Sequence, residues 1–375
     1  MKHNKLFPIL VGFFVMGFVD LVGIATNYVK VDFNLSDSFA NILPMMVFVW
    51  FAVCSIPTGL LMDKYGKRNA VLAAMGLTLL AMILPVVAYN YPIALLTFGL
   101  LGISNTMLQV ALNPMVASVV RGEQLTSILT WGQFIKAISS FLGPILVGAA
   151  ALYTGNWRLV FMIYAIVTLL SALWIFLSIP ATKSKTQVST FSSTLALLRD
   201  PQITLLFIGI LLIVGIDVGI NTTIPKLLIE KTQMELAQAG LGSSLYFAAR
   251  TGGTLVGAIL LARIAGGKFL KVNMIIALAA FVGLLFIEQT QIVLALIFII
   301  GFTCSNVFSI IFANALQHQP EKNNEISALM IMGVSGGALI APIMGVIADQ
   351  FNQTASLSVL ILCVIYLLYL SARCK

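Results

Sequence analysis

Apolar runs of about twenty residues or more alternate with short polar turns along the whole chain. They fall at 7–29, 39–62, 70–89, 92–119, 125–152, 158–179, 202–228, 238–262, 271–288, 291–315, 326–347 and 355–372. A run of this length can cross the hydrocarbon core as a helix, with every backbone polar group satisfied inside the segment. The pattern predicts an all-α membrane protein of twelve transmembrane helices. The first run is too long and too broken by polar residues for a cleaved leader, and reads as helix 1.

The longest polar stretch, Pro180 to Asp200, lies near mid-chain with six runs on either side. This predicts a six-helix bundle over 1–180, a linker over 181–201 and a second six-helix bundle over 202–375. The halves carry traces of a repeat at an offset of roughly two hundred residues. Gly59 to Asp63 has a degraded counterpart at Gly257 to Arg263, Asn113 matches Asn314, and Gly143-Pro144 matches Ala341-Pro342. Val19-Asp20 falls on Ile216-Asp217 in the same way. Two parallel, pseudo-symmetric six-helix bundles are therefore expected, a pattern used by transporters. Pro57, Pro144 and Pro342 lie inside predicted helices and are expected to kink them.

Composition narrows the class. Apolar residues make up 60% of the 375 and charged residues 9%, with a mean hydropathy of +1.04. A soluble domain carries about 25% charge. The net charge of +8 does not point to nucleic acid, because the basic residues sit singly in short loops. They sort by side of the membrane instead. One set of segments holds Lys2, Lys5, Lys64, Lys67, Arg68, Arg121, Lys183, Lys185, Arg199, Arg263, Lys268, Lys271, Lys322, Arg373 and Lys375, and the other only Lys30, Arg158, Lys226 and Lys231. Under the positive-inside rule both termini are cytoplasmic, and an inner (plasma) membrane location is expected. The four cysteines have neither metal-ligand nor CxxC spacing, and the two histidines belong to no HExxH set. No metal, cofactor or enzymatic activity is expected.

Charge inside the apolar runs marks candidate chemistry. Asp20, Lys136, Asp217 and Arg250 fall near mid-span, where an ionised group costs a few kcal/mol unless it meets a partner or water. Two acids and two bases permit two ion pairs that lock helices together, or a proton and substrate site. The twin placement of Asp20 and Asp217 favours the second reading. Helix 4 carries Asn105, Gln109 and Asn113 at i, i+4 and i+8, one face of amides suited to a hydroxyl-bearing ligand or to helix–helix bonding. Trp131, Gln133, Asn221, Tyr246 and Asn306 add aromatic and amide groups to the candidate substrate site.

Three stretches carry a family resemblance. The turn Gly59-x-x-x-Asp63-Lys64-x-Gly66-Lys67-Arg68 resembles the helix 2–3 loop of the major facilitator superfamily. Leu108-Gln109-x-Ala111-x-Asn113-Pro114 and the string from Ser327 through Gly336-Gly337, Pro342 and Gly345 to Asp349 resemble helices 4 and 11 of its fucose permease group, the fucose, galactose and glucose proton symporters. Tyr246-Phe247-x-x-Arg250-Thr251-Gly-Gly-Thr254 is similar to helix 8 of bacterial members. The resemblance implies a monomeric carrier in the lipid bilayer that imports a neutral hexose or deoxyhexose with a proton by alternating access. It implies a binding and coupling role for the helix 1 acid, Asp20, and a conformational-latch role for Gly59, Asp63, Lys64, Gly66, Lys67 and Arg68. One position departs: Gln109 stands where the family has a titratable glutamate. Asp20 or Asp217 then carries the proton, or the coupling ion differs, or transport is uncoupled. Transport of a small organic anion or drug-like export on the same fold is the alternative, since Lys136 and Arg250 could hold a carboxylate or phosphate.

Overall fold

Helix α1 begins at His3 and runs in three pieces: α-helix His3–Met16, a 3-10 turn Gly17–Asp20, and α-helix Leu21–Asp32. The structure is a computed structural model that describes residues 3–35, 39, 42–120, 124–180, 190–234 and 236–374. The first bundle continues with α2 (Ile42–Tyr65), α3 (Lys67–Val87), α4 (Tyr91–Val119), α5 (Gln124–Thr154) and α6 (Leu159–Ser178). Then come α7 (Pro201–Thr232), α8 (Leu236–Leu260), α9 (Gly266–Phe286), α10 (Thr290–Cys304 and Val307–His318) and α11 (Asn323–Met332, the 3-10 turn Gly333–Gly336, and Gly337–Gln350). The last is α12 (Gln353–Ser371). Among the described residues no strand occurs.

Eleven of these spans are long and apolar enough to cross a bilayer. The remaining one, α8, is helical as expected, but Gln238, Ser243, Ser244, Arg250, Thr251 and Thr254 dilute its hydropathy. Large apolar side chains such as Val87, Leu177, Phe286 and Leu362 are exposed over much of their surface, which suits a lipid solvent rather than water. The chain is a multi-pass membrane protein.

Two compact units emerge. The first comprises Met1–Arg121, Ile135–Ala196 and Pro320–Met332; the second comprises Gly122–Phe134, Leu197–Gln319 and Gly333–Lys375. They follow the two halves of the chain except at the starts of α5 and α11, each of which packs with the other half's unit. Residues 181–189 of the expected linker, like Lys2, Arg121, Lys183, Lys185 and Lys375, lie outside the described residues. The rest of that linker forms a short helix, Phe191–Ala196, and a 3-10 turn, Leu197–Arg199.

The internal repeat is visible in the packing of each unit. In the first, α4 packs on α2 and α3, α6 on α3, and α1 on α4 and α6. In the second, α10 packs on α8 and α9, α12 on α9, and α7 on α10 and α12. One contact shows the equivalence at atomic scale. A Cβ on Gly102 of α4 would lie 2.6 Å from the Val47 carbonyl of α2, and one on Gly301 of α10 would lie 2.7 Å from the Tyr246 carbonyl of α8. Glycine is the residue that allows these helices to meet backbone to backbone. Gly301→Ala is expected to cost about 1–3 kcal/mol through overpacking, whereas Gly252→Ala on α8, with open space around it, is expected to change little. Thermal unfolding of the two variants in detergent checks this.

The ladder interruptions within the spans do not sit at the prolines. Pro57 and Pro342 lie inside unbroken stretches, while the breaks fall at Gly17–Asp20, Ser305–Asn306 and Gly333–Gly336. Where a neighbouring backbone comes closest, a glycine with no side chain permits the tighter turn. A Cβ on Gly17 would lie 2.6 Å from the Lys136 carbonyl, and one on Gly336 would collide with the Leu211 backbone.

The second unit is fastened at one end by Asp200. Its carboxylate caps α7, accepting from the N–H groups of Gln202 (2.9 Å) and Ile203 (3.4 Å), and also takes His318 Nε2 (2.9 Å) and Gln319 Nε2 (2.8 Å). Partial burial pushes this carboxyl up, but the His318, backbone and Gln319 hydrogen bonds outweigh it and hold the pKa below the ordinary aspartate value. The native state thus binds this proton less readily than the unfolded chain. The stabilisation is present above the unfolded carboxylate value of about 4 and is lost as pH falls through the lower folded value. Asp200→Asn keeps a good cap and removes the charge. It is expected to flatten the loss of stability on the acid side, as read from unfolding temperatures between pH 7 and pH 3.

Candidate functional site

In the first unit the 3-10 turn of α1 sets the site. It presents Asp20 at its end with the carboxylate exposed, and the Ser140 hydroxyl of α5 donates to it. The same hydroxyl oxygen lies 3.0 Å from the Lys136 carbonyl, one turn back. Lys136 is half-buried and forms no ion pair with Asp20; among the described residues its ammonium has no hydrogen-bond partner. Of the two ion pairs that the four mid-span charges permit, this one does not form. Ser140 occupies the carboxylate instead. Its signal in the sequence was its place four residues after Lys136 on one face of α5.

The amide face of α4 is buried. Asn105, Gln109 and Asn113 are each no more than 5% exposed. Asn105 Nδ2 donates to the Met16 carbonyl at 2.5 Å, the group just ahead of the α1 interruption. Gln109 Nε2 donates to Asn105 Oδ1 at 2.8 Å, and Asn113 Nδ2 to the Gln109 carbonyl at 2.7 Å. The row of amides thus works as a relay that fastens α4 to the irregular backbone of α1.

In the second unit Asp217 of α7 is held from both sides. Arg250 Nη2 lies 2.9 Å from Oδ2, and the Tyr246 hydroxyl donates to Oδ1 at 2.7 Å. Tyr246 and Arg250 are one turn apart on α8, so the two donors reach one carboxylate from a single helix face. Tyr246 is fully buried, while the Arg250 and Asp217 side chains keep 28% and 16% of their surface. Asn306, at the break in α10, donates to the Gly253 carbonyl at 2.8 Å and presses against Gly257. Asn221, four residues beyond Asp217, is half-buried, as are Trp131 and Gln133. The Trp131 ring meets Phe134 edge-on with centroids 5.7 Å apart.

The predicted latch residues separate into two groups, both in the first unit. Lys67 Nζ donates to the Pro114 carbonyl at 3.1 Å, and Arg68 Nη2 to the Phe176 carbonyl at 2.6 Å, so they tie the start of α3 to α4 and α6. Gly66 makes the sharp entry into α3 with φ of 83°, a left-handed conformation that favours glycine. Lys64 is exposed, over the Tyr65 ring. Gly59 and Asp63 face the start of α11. A Cβ on Gly59 would lie 2.7 Å from Ala328 Cβ, and Asn324 Nδ2 donates to Asp63 Oδ1 at 2.7 Å. Ser327 adds a bond to the Val110 carbonyl at 2.7 Å. Asn324 lies outside every stretch that the sequence marked, because a lone amide at a helix start carries no pattern.

A helical membrane protein with a repeated bundle and a hydroxyl-bonded mid-span acid in each repeat has the construction of a solute carrier rather than an enzyme. The chain belongs to the Major Facilitator Superfamily, whose family description matches residues 9–342. It is 22% identical to a glucose/galactose transporter of Brucella abortus, over 95% of this chain and 90% of that one. Its fold is similar to that of the Escherichia coli fucose:proton symporter, with a TM-score of 0.86, 18% identity, and 98% of each chain covered. A human organic anion transporter has a similar fold, with a TM-score of 0.80, 14% identity and 99% of each chain covered. The fold therefore serves cargoes of different charge, and the cargo has to be read from the site.

Proposed function

We propose that this transporter imports a monosaccharide of the hexose or deoxyhexose class with a proton, working by alternating access as a monomer in the inner membrane with both termini cytoplasmic. The observation that carries the reading is the pair of mid-span acids at equivalent places in the repeat, Asp20 and Asp217, each bonded to a hydroxyl. A carboxylate that loses its donor when the helices move can exchange a proton with water, which is what coupling requires. The name of the Brucella relative, aligned over nearly the whole chain, supports a sugar as cargo.

Among the proposed substrate residues, Trp131, Gln133, Lys136, Asn221 and Arg250 keep part of the side chain accessible and are assigned direct contact. Asn105, Gln109, Asn113, Tyr246 and Asn306 are buried, and are assigned to holding those groups and the backbone in place. The test is uptake of labelled galactose and glucose into proteoliposomes with an imposed pH gradient. Accumulation above the equilibrium level that collapses with a protonophore supports the reading; no uptake of either sugar defeats it.

The loop 59–68 is assigned a latch role through Gly59 and Asp63. Asp63→Asn weakens the bond to Asn324 without changing the volume of the side chain. It is expected to slow uptake about tenfold, which corresponds to 1.4 kcal/mol on the rate-limiting movement, while sugar affinity stays within about twofold. Parallel uptake and equilibrium binding check this.

One observation favours a second reading. Lys136 has no acid partner among the described residues, and an ammonium in a membrane helix suits a cargo with its own negative charge, such as an acidic sugar or small organic anion. Competition separates the readings: inhibition by galacturonate but not galactose, lost in Lys136→Gln, favours the anion.

A further inference from the structure

At the end of α2 a small cavity of about 140 Å³ is lined by Asp63, Lys67, Pro320, Glu321, Asn323, Asn324 and Glu325. Three oxygens of this lining are buried without a hydrogen-bond donor: Asp63 Oδ2, Asn323 Oδ1 and Asn324 Oδ1. Asp63 and Asn324 are 4% and 8% exposed. The orientation of the Asn324 amide is fixed, because its nitrogen must face the Asp63 carboxylate to which it donates. Its oxygen is therefore an acceptor by necessity.

The sign of the site follows from this inventory. The two buried unpartnered atoms whose identity is fixed, Asp63 Oδ2 and Asn324 Oδ1, are both acceptors, and buried acceptors are normally matched by a donor or a cation. Asp63 and Glu321 supply two carboxylates against one ammonium, Lys67, which is bonded to the Pro114 carbonyl; Glu325, also in the lining, has a partner of its own and does not enter this balance. The positive end of helix Asn323–Met332 is met by Glu325 in its own first turn and by Asp63. The volume accommodates an ion and its remaining water, since a water takes about 30 Å³.

We propose that this cavity binds a small monovalent metal cation, of which sodium is the probe, through Asp63, Asn323 and Asn324. A hard cation takes oxygen ligands. One deeply buried carboxylate among neutral amide oxygens matches a single positive charge. The ligands come from α2 and from the start of α11, so the ion bridges the two elements that Gly59 and Ala328 bring into contact. Its effect on transport rests on the latch reading; its binding does not.

The experiment uses the full chain, purified in detergent. Unfolding temperature is measured against sodium chloride, with N-methylglucamine chloride holding ionic strength constant. A saturable rise of about 2–3 °C is expected with sodium. It should be lost in Asp63→Asn, and shifted to about tenfold higher sodium in Asn323→Ala, a half-buried position that tolerates truncation if Asp63→Asn folds poorly. Retention of bound radioactive sodium by wild type and not by the variants gives the same answer without heating. Equal behaviour in sodium and N-methylglucamine would mean that water alone fills the cavity and would overturn the proposal. So would a sodium effect unchanged in both variants, or stronger stabilisation by magnesium or calcium at equal ionic strength. Slow uptake in Asp63→Asn with no sodium binding in wild type would keep the latch and remove the ion.

Discussion

Arg250→Met is expected to destabilise the protein by about 2–4 kcal/mol, and the double variant Asp217→Asn/Arg250→Met to recover most of that loss. Arg250 is the cation on a carboxylate whose other oxygen is held by Tyr246. Without it the Asp217 charge stays inside a membrane helix with its counter-charge removed, and the Tyr246 hydroxyl is a neutral donor. Breaking a fully buried pair costs about 3–5 kcal/mol; the residual exposure of 28% and 16% lets water screen part of that, hence the lower range. Removing both charges takes away the cause, since asparagine keeps the shape and still accepts from Tyr246. Tyr246→Phe is expected to fall between wild type and Arg250→Met, near the 1 kcal/mol of a neutral hydrogen bond, plus its larger charged-acceptor share. Thermal unfolding of wild type, Asp217→Asn, Arg250→Met and the double variant completes the cycle, with Tyr246→Phe measured beside them. A double variant no more stable than Arg250→Met would mean that the arginine supports the fold by packing of its stem and not by its charge.

Much of this architecture was legible because membrane helices advertise themselves. Length and apolarity of the runs place the spans, and the offset between Asp20 and Asp217, or Asn113 and Asn314, exposes the repeat. The partners of those residues were less legible. Arg250 binds Asp217 because Tyr246 and Arg250 share one face of the neighbouring helix, which spacing does reveal. Asp20 takes Ser140 instead of Lys136 because the α1 turn at Gly17 lets α5 come within backbone contact. Nothing in the sequence distinguishes Gly17 from the other 28 of the 29 glycines. The amides of α4 read as ligand groups by type and spacing, yet Asn105 donates to the Met16 carbonyl beside the α1 interruption, a partner that spacing along α4 does not reveal. Prolines mark the possible kinks; the interruptions formed where a glycine met a neighbouring backbone. The start of α11 was read correctly as helix, but its association with α2 depends on Gly59 meeting Ala328, two small residues far apart in sequence.

The coupling route follows from the same asymmetry. Gln109 cannot take up a proton, and it is already bonded to Asn105 and buried. Asp217 faces the Arg250 guanidinium as its counter-charge, so protonating it removes the carboxylate charge from that ion pair. Asp20 has no cation on its carboxylate among the described residues, is exposed, and accepts from one hydroxyl whose proton can rotate away. The proposed coupling role is assigned to Asp20, whose carboxylate is in no ion pair among the described residues. Asp20→Asn is therefore expected to reduce gradient-driven accumulation of sugar at least tenfold, to the equilibrium level, while exchange of sugar for sugar across the membrane continues, because exchange needs no proton movement. Asp217→Asn is expected to lower accumulation and exchange together, with a lower unfolding temperature, since it disturbs the Arg250 site. Vesicle uptake with and without an imposed pH gradient, set beside counterflow, distinguishes these outcomes. Gradient-driven accumulation that survives in both variants would remove the carboxylates from the coupling step.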